Sequence, residues 1–356
     1  MDKRFWCDES YKADITEYTD SIMARYGISS QPARREIMYL ANKGNTVALK
    51  FYADMIYYRS ILRKYPYRSA FSLYLNAAGI SLDDDGNLSC SGHAYPMAFW
   101  SVAHYLVDYK RESDLKKSET IPFIEDMPLE ERLAMALELA VACVDYEQAM
   151  GAVNLIGRIL QILSKDEGLY EKLFSVLKEI VFEHDFSGVN IDPKTDGSFG
   201  ACAALTDVFF EAAADNGYVY ACNSLANREA DNIINLSNDN KSEALDPAIQ
   251  RYLSYLKKSA DKYEPYAANR LGLFYTTGEI KGSTGKKFFK EYIDYGLGKE
   301  YFTKATMYPD ANSAWAFFNL IKYYHRDYDT NLALLDEHMG YIQALNSEVY
   351  DLAMEL

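Results

Sequence analysis

The stretch Tyr255-Leu256-Lys257-Lys258-Ser259-Ala260-Asp261-Lys262-Tyr263-Glu264-Pro265-Tyr266-Ala267-Ala268-Asn269-Arg270-Leu271-Gly272-Leu273-Phe274-Tyr275-Thr276-Thr277-Gly278 decides the reading of this chain. Apolar and small residues three and four apart lie on both sides of a short polar turn, the pattern of two helices folded back on each other. The spacing returns in Phe209-Phe210-Glu211-Ala212-Ala213-Ala214-Asp215-Asn216-Gly217, followed by Ala221, Leu225 and Ala226. It returns again in Leu40-Ala41-Asn42-Lys43-Gly44, followed by Ala48, Tyr52 and Ala53. Looser copies include Ala70 to Ala78 and Ala98 to Ala103, and Ala305 followed by Ala314 with one extra residue in the turn. Between Ala149 and Leu160 two registers fit, one on Ala149/Val153 and one on Ala152/Ile156-Gly157.

Each part of the unit has a mechanical reason. Small residues at Ala213-Ala214, Ser259-Ala260, Ala221, Ala267, Ala226 and Gly272 let helices approach closely, and the aromatic and Leu positions fill the space between neighbouring pairs. Gly44 and Gly217 supply the left-handed backbone that closes a helix C-terminus, while Tyr263 replaces the glycine in one copy at a local cost. Elsewhere the helical period continues, as in Leu129 to Ala140, and sustained period-two alternation is hard to find. Breaks rich in Gly, Pro, Asp, Asn and Ser separate helices of roughly 12 to 20 residues.

This pattern resembles the Sel-one-like repeat, a relative of the tetratricopeptide repeat, with residues 255–278 matching it almost throughout. The resemblance implies an all-α, right-handed α-solenoid of antiparallel helix pairs, about five or six units with long insertions. Equivalent first-helix positions lie 46 (Leu225 to Leu271), 47 (Leu271 to Phe318) and 50 (Tyr52 to Val102) residues apart. These distances exceed the family's usual unit, so insertions sit in the loops. The longest gap, Ile156 to Leu225, holds an extra helix near Tyr170 to Glu183 and a polar loop. The expected organisation is therefore a capping helix in 1–30, helical repeats in 31–185, a loop in 186–198 and repeats in 199–356. One continuous solenoid with a decorated joint is the favoured reading there, and a subdomain boundary in that loop is its alternative.

Composition narrows the function. With 49% hydrophobic and 25% charged residues the 356-residue chain has the balance of a folded soluble protein. A net charge of −15 repels phosphate backbones and anionic lipid, so neither nucleic acid nor membrane is the expected partner. The residues Met1 to Glu9 form no apolar leader and no long uncharged apolar run occurs, which reads as a cytoplasmic protein. The five cysteines, Cys7, Cys90, Cys143, Cys202 and Cys222, are scattered without metal-ligand spacing and read as free thiols. The 31 tyrosines follow the helical period and read mostly as packing between helices.

Chemical signatures are sparse. Glu183-His184-Asp185 reads as a solvated helix end, since neighbours on a helix point apart. Asp83-Asp84-Asp85-Gly86-Asn87 begins like a calcium loop, but its twelfth position is Ala94. Gly282-Ser283-Thr284-Gly285-Lys286-Lys287 lacks the spacing of a phosphate loop. No catalytic residue, cofactor or metal site is assigned.

The resemblance instead implies a binding face. In tetratricopeptide-like arrays the first helix of each unit lines the concave groove, and positions two before and two after the Leu of Leu-Gly point into it. Here these are Lys50, Asp54, Trp100, His104, Asn223, Asn227, Asn269 and Leu273, with Arg158 on the same face in both candidate registers. The expectation is a non-catalytic scaffold or adaptor of bacterial type holding a protein or peptide, with homo-oligomers allowed. A regulatory sensor for a short peptide or small ligand is the first alternative, and an enzyme with its site in the insertions the second.

Overall fold

The computed structural model describes residues 31–57, 67–82, 88–112, 127–186, 188–192, 197–239, 242–307, 312–329 and 331–356, with Phe5, Cys7, Asp8 and Ile124 besides. The capping helix expected in 1–30 and the acidic turn at 83–87 lie outside the described residues. The chain forms two compact units, Met1–Ala213 and Ala214–Leu356, and the 186–198 loop falls inside the first.

In the first unit the elements are α1 (Gln31–Ala41), α2 (Thr46–Tyr57), α3 (Tyr67–Ala77), a hairpin of β1 (Ile80–Leu82) and β2 (Leu88–Cys90), α4 (Pro96–Glu112), α5 (Leu129–Glu147), α6 (Met150–Leu163), α7 (Glu167–Leu177) and α8 (Phe199–Asp215). Helices α2 and α3 pack as a pair, as do α4 and α5, and α6 lies against both α5 and α4. The second unit comprises α9 (Val219–Asn238), α10 (Ser242–Ala260), α11 (Pro265–Thr277), a hairpin of β3 (Glu279–Lys281) and β4 (Lys286–Phe288), α12 (Tyr295–Thr306), α13 (Ser313–Tyr323), α14 (Arg326–Asp329), α15 (Leu332–Leu345) and α16 (Ser347–Ala353). Here α9 pairs with α10, α11 with α12 and α13 with α15, and α11 also packs on α13. The architecture is an all-α solenoid of antiparallel helix pairs within each unit.

The repeat spacing works by close approach. A Cβ on Gly272 of α11 would stand 2.6 Å from Cε1 and 2.8 Å from Cγ of Phe302 on α12. Gly157 of α6 meets Phe210 of α8 in the same way, at 2.7 and 2.8 Å. This contact supports the Ile156-Gly157 register over the alternative one. The small residues Ala213, Ser259, Ala260, Ala221, Ala226 and Ala267 are all fully buried. Helix ends follow local chemistry: Glu264 caps α11 by accepting from the backbone N–H groups of Tyr266 (3.2 Å) and Ala267 (2.7 Å), and Pro265 takes the first turn, where no donor is needed.

Tyr74, Tyr105, Tyr252 and Tyr275 are buried between helices, in line with their periodic placement. The two β-hairpins were not legible as strands, because three-residue strands are too short to show alternation. His184 departs from the solvated helix end expected of it. A π-helical turn at Lys178–Phe182 carries it back so that Nε2 lies 2.9 Å from Asp145 Oδ1, with its ring 4.4 Å from that of Phe186.

Candidate functional site

The first helices of the pairs are α2, α4 and α6 in one unit and α9, α11 and α13 in the other. In the first unit they carry a connected row of polar and aromatic side chains. Lys50 Nζ lies 2.6 Å from Asp54 Oδ2, one helical turn on, and the Tyr74 hydroxyl of α3 donates to Asp54 Oδ1 at 2.9 Å. The same ammonium sits 5.9 Å from the centre of the Trp100 ring on α4, near enough for a cation–π attraction. Trp100 in turn packs on His104, with ring centroids 5.5 Å apart. His104 Nε2 is 3.4 Å from Asp108 Oδ2, and Arg158 of α6 forks onto both oxygens of the same carboxylate. Lys50, Asp54, Trp100, His104 and Arg158 are thus brought together across three successive first helices.

The row is largely desolvated where it begins. Lys50 is only 9% exposed, with the Asp54 carboxylate and an aromatic face in place of water around its side-chain nitrogen. Tyr57, Tyr74, Trp100, Ser101 and His104 enclose a void of about 10 Å³, the room of roughly one water. Behind it, burial pushes the Cys143 thiol up to about 12, outweighing the Trp100 backbone contact and Lys50, which act in the opposite sense. Tyr95 is likewise raised to about 12, by burial first and then by Glu147, Cys143 and Asp54.

In the second unit the row is made of amides. Asn223 of α9 is 7% exposed and its Nδ2 donates to Glu264 Oε2 at 2.9 Å, so it supports the cap of α11 from within the packed joint rather than facing solvent. The Tyr266 hydroxyl donates to Asn227 Oδ1 at 2.8 Å. Asn319 of α13 donates to Asn269 Oδ1 at 2.9 Å. Each of the three hydrogen bonds therefore ties one first helix to the next. Leu273 packs against the core instead of standing in the row. Tyr266 carries the Arg270 guanidinium at 5.8 Å, and Tyr220, one turn before Asn223, is 54% exposed.

Sequence reasoning missed Asp108, Glu264, Tyr266 and Asn319, the partners that hold the row together. A partial signal existed for two of them. Asp108 follows His104 by one turn, and Glu264 precedes Pro265 at a helix start, where an acid is favoured. Among the described residues no group of three His, Cys, Asp or Glu side chains is placed to hold a metal ion. Among the same residues no helix is long and apolar enough to cross a membrane.

Compared with protein-family models and with curated proteins, the chain matches none. Among solved structures it is similar to the crystal structure of c5321, a protective antigen present in uropathogenic Escherichia coli strains displaying an SLR fold. The two share 16% identity at a TM-score of 0.30, over 91% of this chain and 59% of that one. The chain therefore spans less than two thirds of the length of that neighbour.

Proposed function

We propose that this protein is a non-catalytic scaffold that holds a peptide or protein along the faces of its first helices. The observation that carries the proposal is the registered row within each unit. Side chains at equivalent positions of successive first helices present amides, paired charges and aromatic rings, the groups that fix a peptide backbone and anchor its side chains. The paired cations favour orientation over raw affinity, since a ligand carboxylate has to compete with Asp54 and Asp108.

The same geometry selects the variants for a test. Asn223 belongs to the packing of the joint, so its removal tests stability. Trp100 and Asn227 lie nearer the surface. A Trp100→Ala, Asn227→Ala double variant is expected to keep the far-ultraviolet circular dichroism of the wild type. It should bind a partner co-purified with the wild-type chain about tenfold more weakly or worse by calorimetry, the loss of roughly one anchoring contact. Unchanged affinity in the folded double variant contradicts the proposal.

A further inference from the structure

A second site is written into the turn between α10 and α11. The left-handed position that closes a second helix holds Gly44 at φ +82° and Gly217 at φ +85°, and a Cβ on either would meet nothing within 4 Å. In the third copy that position is Tyr263, at φ +60°. A bulky L side chain here occupies a conformation that glycine adopts freely, and its ring is in contact range of the Lys304 ammonium.

That ring forms one wall of a cavity of about 530 Å³, whose other lining comes from Gly296, Lys299, Glu300, Thr303, Lys304 and Met307 of α12 and its end. These residues follow one another at helical spacing, so the floor is a single stripe of α12. Lys304 Nζ is poised 5.5 Å above the Tyr263 ring and 2.8 Å from Asp261. Lys299 Nζ is 2.8 Å from Asp327. The acids of both pairs are well exposed, so each lysine can exchange its partner for an incoming carboxylate at little penalty. Met307, 59% exposed, and Tyr263, 43% exposed, offer apolar surface at the ends of the same stripe. Among the described residues the lining carries two cations and one acid, each cation holding an exposed acid outside the lining, Asp327 or Asp261.

We propose that this cavity binds a short acidic peptide segment, an apolar side chain lodging between Tyr263 and Met307 while flanking carboxylates reach Lys299 and Lys304. The site is an open groove that joins apolar surface to a few placed charges. The site lies on a second helix and is independent of the first-helix row.

The test uses the full chain and a fluorescein-labelled peptide set of the form acid-X-acid, with X drawn from Leu, Ile, Met, Phe, Tyr and Trp. Counterparts carry Gln and Asn in place of the acids. At least one acidic member is expected to give saturable anisotropy that weakens with salt, its neutral counterpart binding about tenfold more weakly or worse. Tyr263→Gly relieves the backbone and is expected to melt no lower than wild type while losing the peptide. Lys299→Gln with Lys304→Gln is expected to lose it as well. The proposal is overturned if no acidic member binds saturably, if neutral and acidic peptides bind alike, or if either variant retains wild-type affinity.

Discussion

Substituting Gly272 by alanine tests the packing rule on which the repeat rests. In an ordinary helix interior this change is favourable by about 1 kcal/mol, because alanine loses less backbone freedom on folding. In α11 the added Cβ meets the Phe302 ring, with Cε1 at 2.6 Å and Cγ at 2.8 Å, about 1 Å inside normal carbon contact. Phe302 is fully buried, lies parallel to Tyr323 at a centroid distance of 6.5 Å and meets Tyr324 edge-on at 6.3 Å, so the ring has no free direction of retreat. Overpacking of this kind costs about 1–3 kcal/mol, which outweighs the propensity gain and leaves a net loss of roughly 1 kcal/mol. Gly340 in α15 supplies the control, since a Cβ there meets nothing within 4 Å and Gly340→Ala is expected to stabilise by about 1 kcal/mol. Urea denaturation followed through Trp315, with Trp6 and Trp100 replaced by Phe, reports on the second unit alone. Trimming the ring by Phe302→Leu should abolish the penalty of Gly272→Ala in a double-mutant cycle. If Gly272→Ala stabilises as Gly340→Ala does, the close-approach argument fails.

Three further outcomes follow from particular contacts. Asn223→Ala removes a donor from the buried Glu264 carboxylate and should destabilise the second unit by about 1–3 kcal/mol in the same urea assay. Arg158→Lys keeps the charge but not the fork onto Asp108, and should lower the melting temperature of the first unit measurably, whereas a simple charge requirement predicts no change. His338 has its pKa lowered from the ordinary value of 6.5, chiefly by burial, with Glu337 acting in the opposite direction. The unfolded chain then binds more protons than the folded one in the window below pH 6.5. The stability contributed by neutral His338 is fully present above that value and is lost as pH falls through the folded pKa. His338→Gln should flatten the acid limb of unit-two stability between pH 6.5 and the folded pKa, and an unchanged slope would assign it to other groups.

The helix pairs were legible because their determinants are local. Small residues, a closing glycine and the helical period all sit within one turn and its flanks, as in 255–278. Lys50, Asp54, Trp100, His104 and Arg158, placed on one face by the repeat resemblance, do lie in one connected row, since register sets which side of a helix a residue faces. Partners across helices were not legible. Asp108 under Arg158 and Glu264 under Asn223 are far apart in sequence, and nothing in the chain itself reports that they meet. Asn223 shows the limit most clearly: its position named the face, but only packing depth shows that it lies inside the joint. The use of the strained turn at Tyr263 was equally hidden, because the ring finds its cavity against α12, more than thirty residues away.

Site-specific photo-crosslinking tests the central claim most directly. Benzoylphenylalanine is introduced in the native cell in place of Trp100 on α4, Tyr220 on α9, or Phe174 on α7, outside the first helices, where the side chain is 39% exposed. The scaffold account predicts a discrete protein adduct from a first-helix position and none from position 174. An adduct from position 174 alone, or equal yields from all three, would contradict it.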